Sequence, residues 1–147
     1  MWKEDGKLYS YGYGEYGALG QGGLCYTPVP RLLKSLSDKK VIQIACGEYH
    51  TLVLTGEFIS CFSKKIKFPY SLEVRDLYAW GKGFEGQLGI RKDVETASTP
   101  KFVSFFYRTP LKLIACGAYH SLAITNDVYF KKKSIKIVSF LEIILNY

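Results

Sequence analysis

Two Cys-x-x-x-His pairs, Cys46 with His50 and Cys116 with His120, give the chain two thiols and two imidazoles at matched spacing. That is the ligand set of a tetrahedral structural zinc site or, taken one pair at a time, a thiol beside an imidazole base. Two other motifs, Gly12-x-Gly14-x-x-Gly17 and Gly81-x-Gly83-x-x-Gly86, spell the fingerprint whose glycines let a pyrophosphate approach the N-terminus of a helix. Each chemistry makes a demand on its surroundings. A nucleophile needs a residue that orients its base, and no Asn or Asp recurs beside either His. A dinucleotide loop must open an amphipathic helix, yet Leu19-Gly20 and Leu88-Gly89 stand where that helix would run. Each Cys-His pair straddles an expected hairpin turn, so recurrence sends the two pairs to different units instead of one metal centre. The expectation is therefore no catalytic residue, no metal ligand and no cofactor, with these residues serving structure.

The elements that position them repeat. Leu8 to Gly20 aligns without gaps on Leu77 to Gly89 with 7 of 13 positions identical, and Ile44 to Thr55 aligns on Ile114 to Thr125 with 8 of 12 identical. Each copy carries a Thr-Pro between the motifs, Thr27-Pro28 and Thr99-Pro100. The units, Leu8 to Thr55 and Leu77 to Thr125, run 48 and 49 residues, and that near-equality marks a duplication. Within a unit the pattern is all β. Val41 to Cys46 and Tyr49 to Leu54 are short apolar runs joined at Gly47-Glu48, a hairpin signal. Leu8 to Tyr11 has the alternation of another strand, the stretch from Gly12 to Gly23 is too rich in glycine for a helix, and a fourth strand is expected after each Pro, near Val29 to Leu33 and Lys101 to Phe105. Four short antiparallel strands per unit of this length is the arithmetic of a propeller blade.

The run Leu-Tyr-x-(Tyr/Trp)-Gly-x-Gly-x-x-Gly-x-Leu-Gly, then Thr-Pro, then Ile-Ala-Cys-Gly-x-Tyr-His-(Thr/Ser)-Leu resembles the repeat of the regulator-of-chromosome-condensation family. Tyr11 stands where that family favours Trp, as at Trp80; Ala18 stands where it favours Gln, as at Gln87; Arg91 stands where the first unit keeps Gly22. The resemblance implies an all-β protein of tandem four-stranded antiparallel blades staggered against the sequence repeat: one full blade from 41 to about 106, and partial ones from 8 to 34 and from 111 to about 130. Gly12, Gly14, Gly17, Gly20, Cys46, Gly47, His50, Trp80, Gly81, Gly83, Gly86, Gly89, Cys116, Gly117 and His120 then become its structural repeat motif. Such an incomplete ring is expected to be a piece of a larger propeller or to self-associate through open blade edges.

Repeat 1 is placed at 1–55 and repeat 2 at 77–125. Between them, 56–76 reads as an insertion loop, disordered in whole or part; it holds Lys64, Lys65, Lys67, Phe68 and Tyr70, the expected partner-binding residues. The tail, 126–147, is read as irregular, basic and apolar. Both segments interrupt the repeat at the same relative place and share a bias to Lys, Ile and Phe, as translated non-coding sequence would.

Composition narrows the function classes. With 48% hydrophobic and 22% charged residues the chain has a globular balance. Its charged start and its lack of an apolar run of about 18 residues read as an intracellular protein, cytoplasmic or nuclear, with no membrane partner. Four cysteines read as reduced thiols. The net charge of +7 is spread thinly, with no clustered stripe, which excludes sequence-specific nucleic-acid reading. Tyrosines read mainly as blade packing, with aromatic residues on loops the first to test as contacts. The resemblance implies a protein-interaction module and not an enzyme. Its alternatives are nucleotide exchange on a Ran-like small GTPase, with chromatin protein contact, and the propeller part of a larger multidomain protein such as a ubiquitin ligase.

Overall fold

The computed structural model describes residues 6–61, 70–91, 93–107, 109–125 and 137–139. Strands β1 (Tyr9–Gly12) and β2 (Thr27–Leu32) pair in a first sheet. A second holds β3 (Val41–Cys46), β4 (His50–Cys61), β5 (Tyr70–Lys82) and β6 (Thr96–Phe102), in that order. A third holds β7 (Leu111–Cys116), β8 (Ser121–Thr125) and β9 (Ile137–Ser139). Every pairing is antiparallel between chain neighbours, so each sheet is a meander of the propeller-blade kind. The middle sheet is the full blade, begun at Val41 as the stagger requires and closed by a 3-10 turn at Ser104–Phe106.

Burial reflects this stacking. Leu52, Val53 and Leu54 are consecutive on β4 and all buried, which a strand shows only when both of its faces are covered. Leu77, Ala79 and Trp80 of β5 join the same core. The 3-10 turn at Glu15–Gly17 of the first sheet lies on β5 and β6, and β3 and β4 lie against β7. Polar side chains stitch the layers: Trp80 Nε1 donates to the Ala18 carbonyl at 2.8 Å. The Gln43 amide donates to the Ile114 carbonyl at 2.8 Å and accepts from the Ile114 N–H at 3.0 Å, imitating a strand neighbour.

Two strands begin earlier than their prolines suggested. Gly12 pairs with Thr27 and Lys82 with Thr96, so Pro28, Pro30 and Pro100 lie inside β2 and β6. Both strands are outermost in their sheets, where a missing N–H costs no ladder bond. Beyond the sheet, β4 and β5 stay paired to Cys61 and Tyr70, whereas β3 stops opposite Thr55 and β6 opposite Tyr78. Residues 56–61 and 70–76 thus form a two-stranded ribbon inside the segment read as a loop. Lys39 Nζ meets Glu57 at 3.3 Å near its base, and Arg75 donates to the Leu111 carbonyl at 2.8 Å. Lys64, Lys65, Lys67 and Phe68 lie outside the described residues, and Tyr70 opens β5. In the tail, Ile137–Ser139 pairs with β8, taking the third place in its sheet.

Candidate functional site

The β3–β4 and β5–β6 connections leave the middle sheet at one end, because a meander returns every second turn to the same side, and contacts from Tyr16 and Tyr119 bring the β1–β2 and β7–β8 connections of the neighbouring sheets to that end. Tight turns of this kind demand glycine. Gly12 and Gly81, at equivalent places, have φ of +110° and +101°, a conformation that L side chains rarely adopt; Gly14, Gly17 and Gly20 continue the first turn, and Gly83, Gly86 and Gly89 the second. Gly14 leads into a three-residue 3-10 turn, so no α-helix N-terminus faces the glycines.

The Cys-His pairs flank the other two turns. At Gly47 and at Gly117 a Cβ would collide with the imidazole of His50 or His120, so glycine admits the ring. The rings then diverge in environment. His50 is 1% exposed, its Nε2 2.9 Å from Ser121 Oγ of the next sheet, while His120 is exposed. Ser121 Oγ donates to the Gln87 carbonyl at 2.8 Å. Its single proton is thereby used, so the hydroxyl accepts from His50 Nε2–H, and His50 is the neutral Nε2–H tautomer with Nδ1 unpartnered. Burial holds its pKa below the ordinary value, outweighing the His120 backbone. Burial likewise pushes the Cys116 thiol up to about 11, which makes it a poor nucleophile. Cys46 is exposed. Among the described residues no three of His, Cys, Asp and Glu converge to hold a metal ion. His50 is an inter-blade fastener.

The same end of the sheets carries an aromatic face. Tyr16, at φ +54°, meets Tyr49 edge-on at 5.3 Å and Phe84 at 6.2 Å between ring centroids. Lys82 Nζ lies 5.8, 5.7 and 5.1 Å from the rings of Tyr16, Phe84 and Tyr119, within cation–π range, and 2.8 Å from Glu85. Gln87 supports that carboxylate at 2.8 Å. The hydrogen bond to Glu85 holds Lys82 above its ordinary pKa, and Lys82 holds Glu85 below its own. Beside this group Tyr13, Glu15, Ala18, Glu48 and Tyr49 line a cleft of about 320 Å3. The Glu48 carboxylate, chiefly as a hydrogen-bond acceptor, raises the pKa of both Tyr49 and Tyr119. The sequence motifs did not single out Tyr13, Tyr16, Lys82, Phe84 or Tyr119 as contacts. Their signal was aromatic residues inside or beside glycine-rich turns.

Residues 5–54 and 76–124 match the regulator of chromosome condensation (RCC1) repeat. The ultraviolet-B receptor UVR8 of Arabidopsis thaliana is 32% identical over 82% of this chain and 23% of its own length. Human protein RCC2 is 31% identical over 80% of this chain and 19% of its length. The human probable E3 ubiquitin-protein ligase HERC6 is 30% identical over 82% of this chain and 10% of its length. This chain spans less than a quarter of each of these relatives. The crystal structure of Prp20p from Saccharomyces cerevisiae, described with that protein's binding to Gsp1p and histones, aligns with a TM-score of 0.59 at 23% identity, covering 84% of this chain and 29% of that one. That likeness establishes the β-propeller fold. Among the described residues no helix is long and apolar enough to cross a membrane.

Proposed function

Because the chain belongs to the regulator of chromosome condensation repeat family, we propose that it is a protein-interaction module that presents loop-borne aromatic side chains from propeller blades, without a catalytic centre of its own. One observation carries this reading: Tyr13, Tyr16, Phe84 and Tyr119, from turns of all three sheets, are exposed together at one end of the blades. Large rings fixed by edge contacts are the anchors that interfaces use, because little rotamer freedom is lost on binding. We place the protein inside the cell, with a small GTPase or a chromatin protein as the partner classes that its relatives suggest. The test compares the chain with its Tyr16→Ala/Phe84→Ala variant, matched by circular dichroism, for proteins retained from cell extract. The module reading expects a set held by the chain and lost from the variant. Equal retention removes it.

Nucleotide exchange on a Ran-like GTPase is a second reading, favoured by the ribbon of β4 and β5 that runs past the blade. Exchange needs no catalytic triad, only tighter binding of the nucleotide-free GTPase than of the loaded one. Release of labelled GDP from such a GTPase, with and without the chain, decides it. The relationship to ubiquitin ligases supports a third, in which these blades are the recognition part of a larger protein.

A further inference from the structure

The two units differ where they should match, and the difference points to a ligand. Aligned by repeat, Tyr13 stands for Lys82, Glu15 for Phe84, Tyr16 for Glu85 and Ala18 for Gln87. In the second unit the chain supplies its own cation: Lys82 lies among Tyr16, Phe84 and Tyr119 with Glu85 at 2.8 Å. In that unit Gln87 is buried and fills the turn, donating to the Glu85 carboxylate at 2.8 Å and accepting from the Glu85 N–H at 3.0 Å. The first unit keeps a carboxylate and gains an aromatic residue, but has neither the lysine nor the glutamine. Ala18 leaves the turn unfilled, and it lines the cleft with Tyr13, Glu15, Glu48 and Tyr49.

We propose that this cleft receives the lysine or arginine side chain of a basic segment of a protein partner. Two carboxylates and two phenol rings line it, with no basic residue among them, on a chain whose net charge is +7. Its volume of about 320 Å3 lies at the small end of ligand pockets, roughly 300–1,000 Å3, and suits one long side chain. The walls are braced: Tyr13 packs on Tyr26 at 5.1 Å and Tyr49 on Tyr16 at 5.3 Å. A cation over such faces, with a carboxylate in reach, is attracted by the ring quadrupole and by charge together. An anionic segment meets repulsion, and a plain apolar one leaves Glu15 and Glu48 without a counter-charge. The Lys82 cluster on the same face shows it holding an ammonium group in this manner.

The inference rests on the interaction-module reading and deepens it. Its test is fluorescence anisotropy of the full chain with a labelled peptide of alternating Gly and Lys, against the same peptide with Gln for Lys, at low and moderate salt. The lysine peptide is expected to bind and the glutamine peptide not. Glu48→Gln and Tyr13→Ala should each weaken binding by roughly two- to fivefold, and Val29→Ala, outside the cleft, should leave it unchanged. Ala18→Gln, which restores the residue of the second unit and is expected to fold, should fill the cleft and abolish binding. Absence of binding by the lysine peptide, or binding that persists in Ala18→Gln, overturns the proposal. Either result, alongside partner retention that still depends on Tyr16 and Phe84, leaves the interaction module standing. Equal retention by the chain and its Tyr16→Ala/Phe84→Ala variant as well removes both.

Discussion

Replacing Ser121 with Ala removes one oxygen from a position with no solvent exposure and severs two hydrogen bonds that join adjacent sheets. His50 Nε2–H loses its acceptor at 2.9 Å, and the Gln87 carbonyl loses its donor at 2.8 Å. Each orphaned buried group costs about 1–3 kcal/mol, and partial relaxation brings the pair to about 2–4 kcal/mol. His50 has no reserve, since Nδ1 is already unpartnered. With a urea m-value of about 2 kcal/mol/M, the unfolding midpoint falls by roughly 1–2 M. Urea titration followed by the emission of buried Trp80 reads this shift, and an unchanged m keeps the comparison one of stability. Ser121→Thr is the control, because Thr51 occupies the same place in the first unit and its hydroxyl donates to the Ala18 carbonyl at 3.2 Å. It should recover most of the loss. A midpoint change under about 0.3 M in Ser121→Ala would show that the His50 fastener contributes little to blade cohesion, and would refute the reasoning.

The same geometry sets three further outcomes. Burial lowers the pKa of His50 from 6.5, so the unfolded chain binds its proton first: the stabilisation is complete above about pH 6.5 and is lost as pH drops toward the folded value. The His50 ring resonance should titrate below that of a free imidazole, and a His50 resonance titrating above 6.5 would contradict the buried neutral tautomer. Cys116, raised to about 11 from 9.0, should alkylate at pH 8 roughly tenfold more slowly than an ordinary thiol, its smaller thiolate fraction being partly offset by the higher nucleophilicity of the thiolate, behind exposed Cys25 and Cys46 in a mass-spectrometric time course. Gly81→Ala should destabilise the fold more than Gly12→Ala. Both sites carry positive φ, worth about 1–3 kcal/mol of strain, but only at Gly81 does a Cβ also meet the Tyr49 carbonyl, while at Gly12 nothing lies within 4 Å. Equal losses in thermal unfolding would assign the whole effect to φ.

Much of this protein was legible in one dimension because its information is local and repeated. Alternating apolar runs around Gly47 and Gly117 gave the hairpins, the alignment of two units gave the blade, and its stagger gave the middle sheet its start at Val41. Strand ends beside prolines were not legible, since a proline's tolerance depends on whether its strand is outermost, a property of the sheet. Nor was the ribbon within 56–76, because backbone pairing needs no side-chain period.

The sequence by itself determined that the chain is duplicated, all β, and turned on glycines. Tertiary structure alone decided what each copy does. His50 and His120 lie in motifs that share 8 of 12 residues, yet one is buried against Ser121 and the other is exposed, because burial belongs to the neighbouring blade and not to the motif. Ala18 and Gln87 occupy one place in the repeat, but only the packed turns reveal that one lines a cleft while the other is buried and bonded to Glu85. Tyr16, Tyr49, Phe84 and Tyr119, up to 103 residues apart in the chain, become a single surface because the middle sheet turns twice at one end and the neighbouring sheets pack their own turns against it.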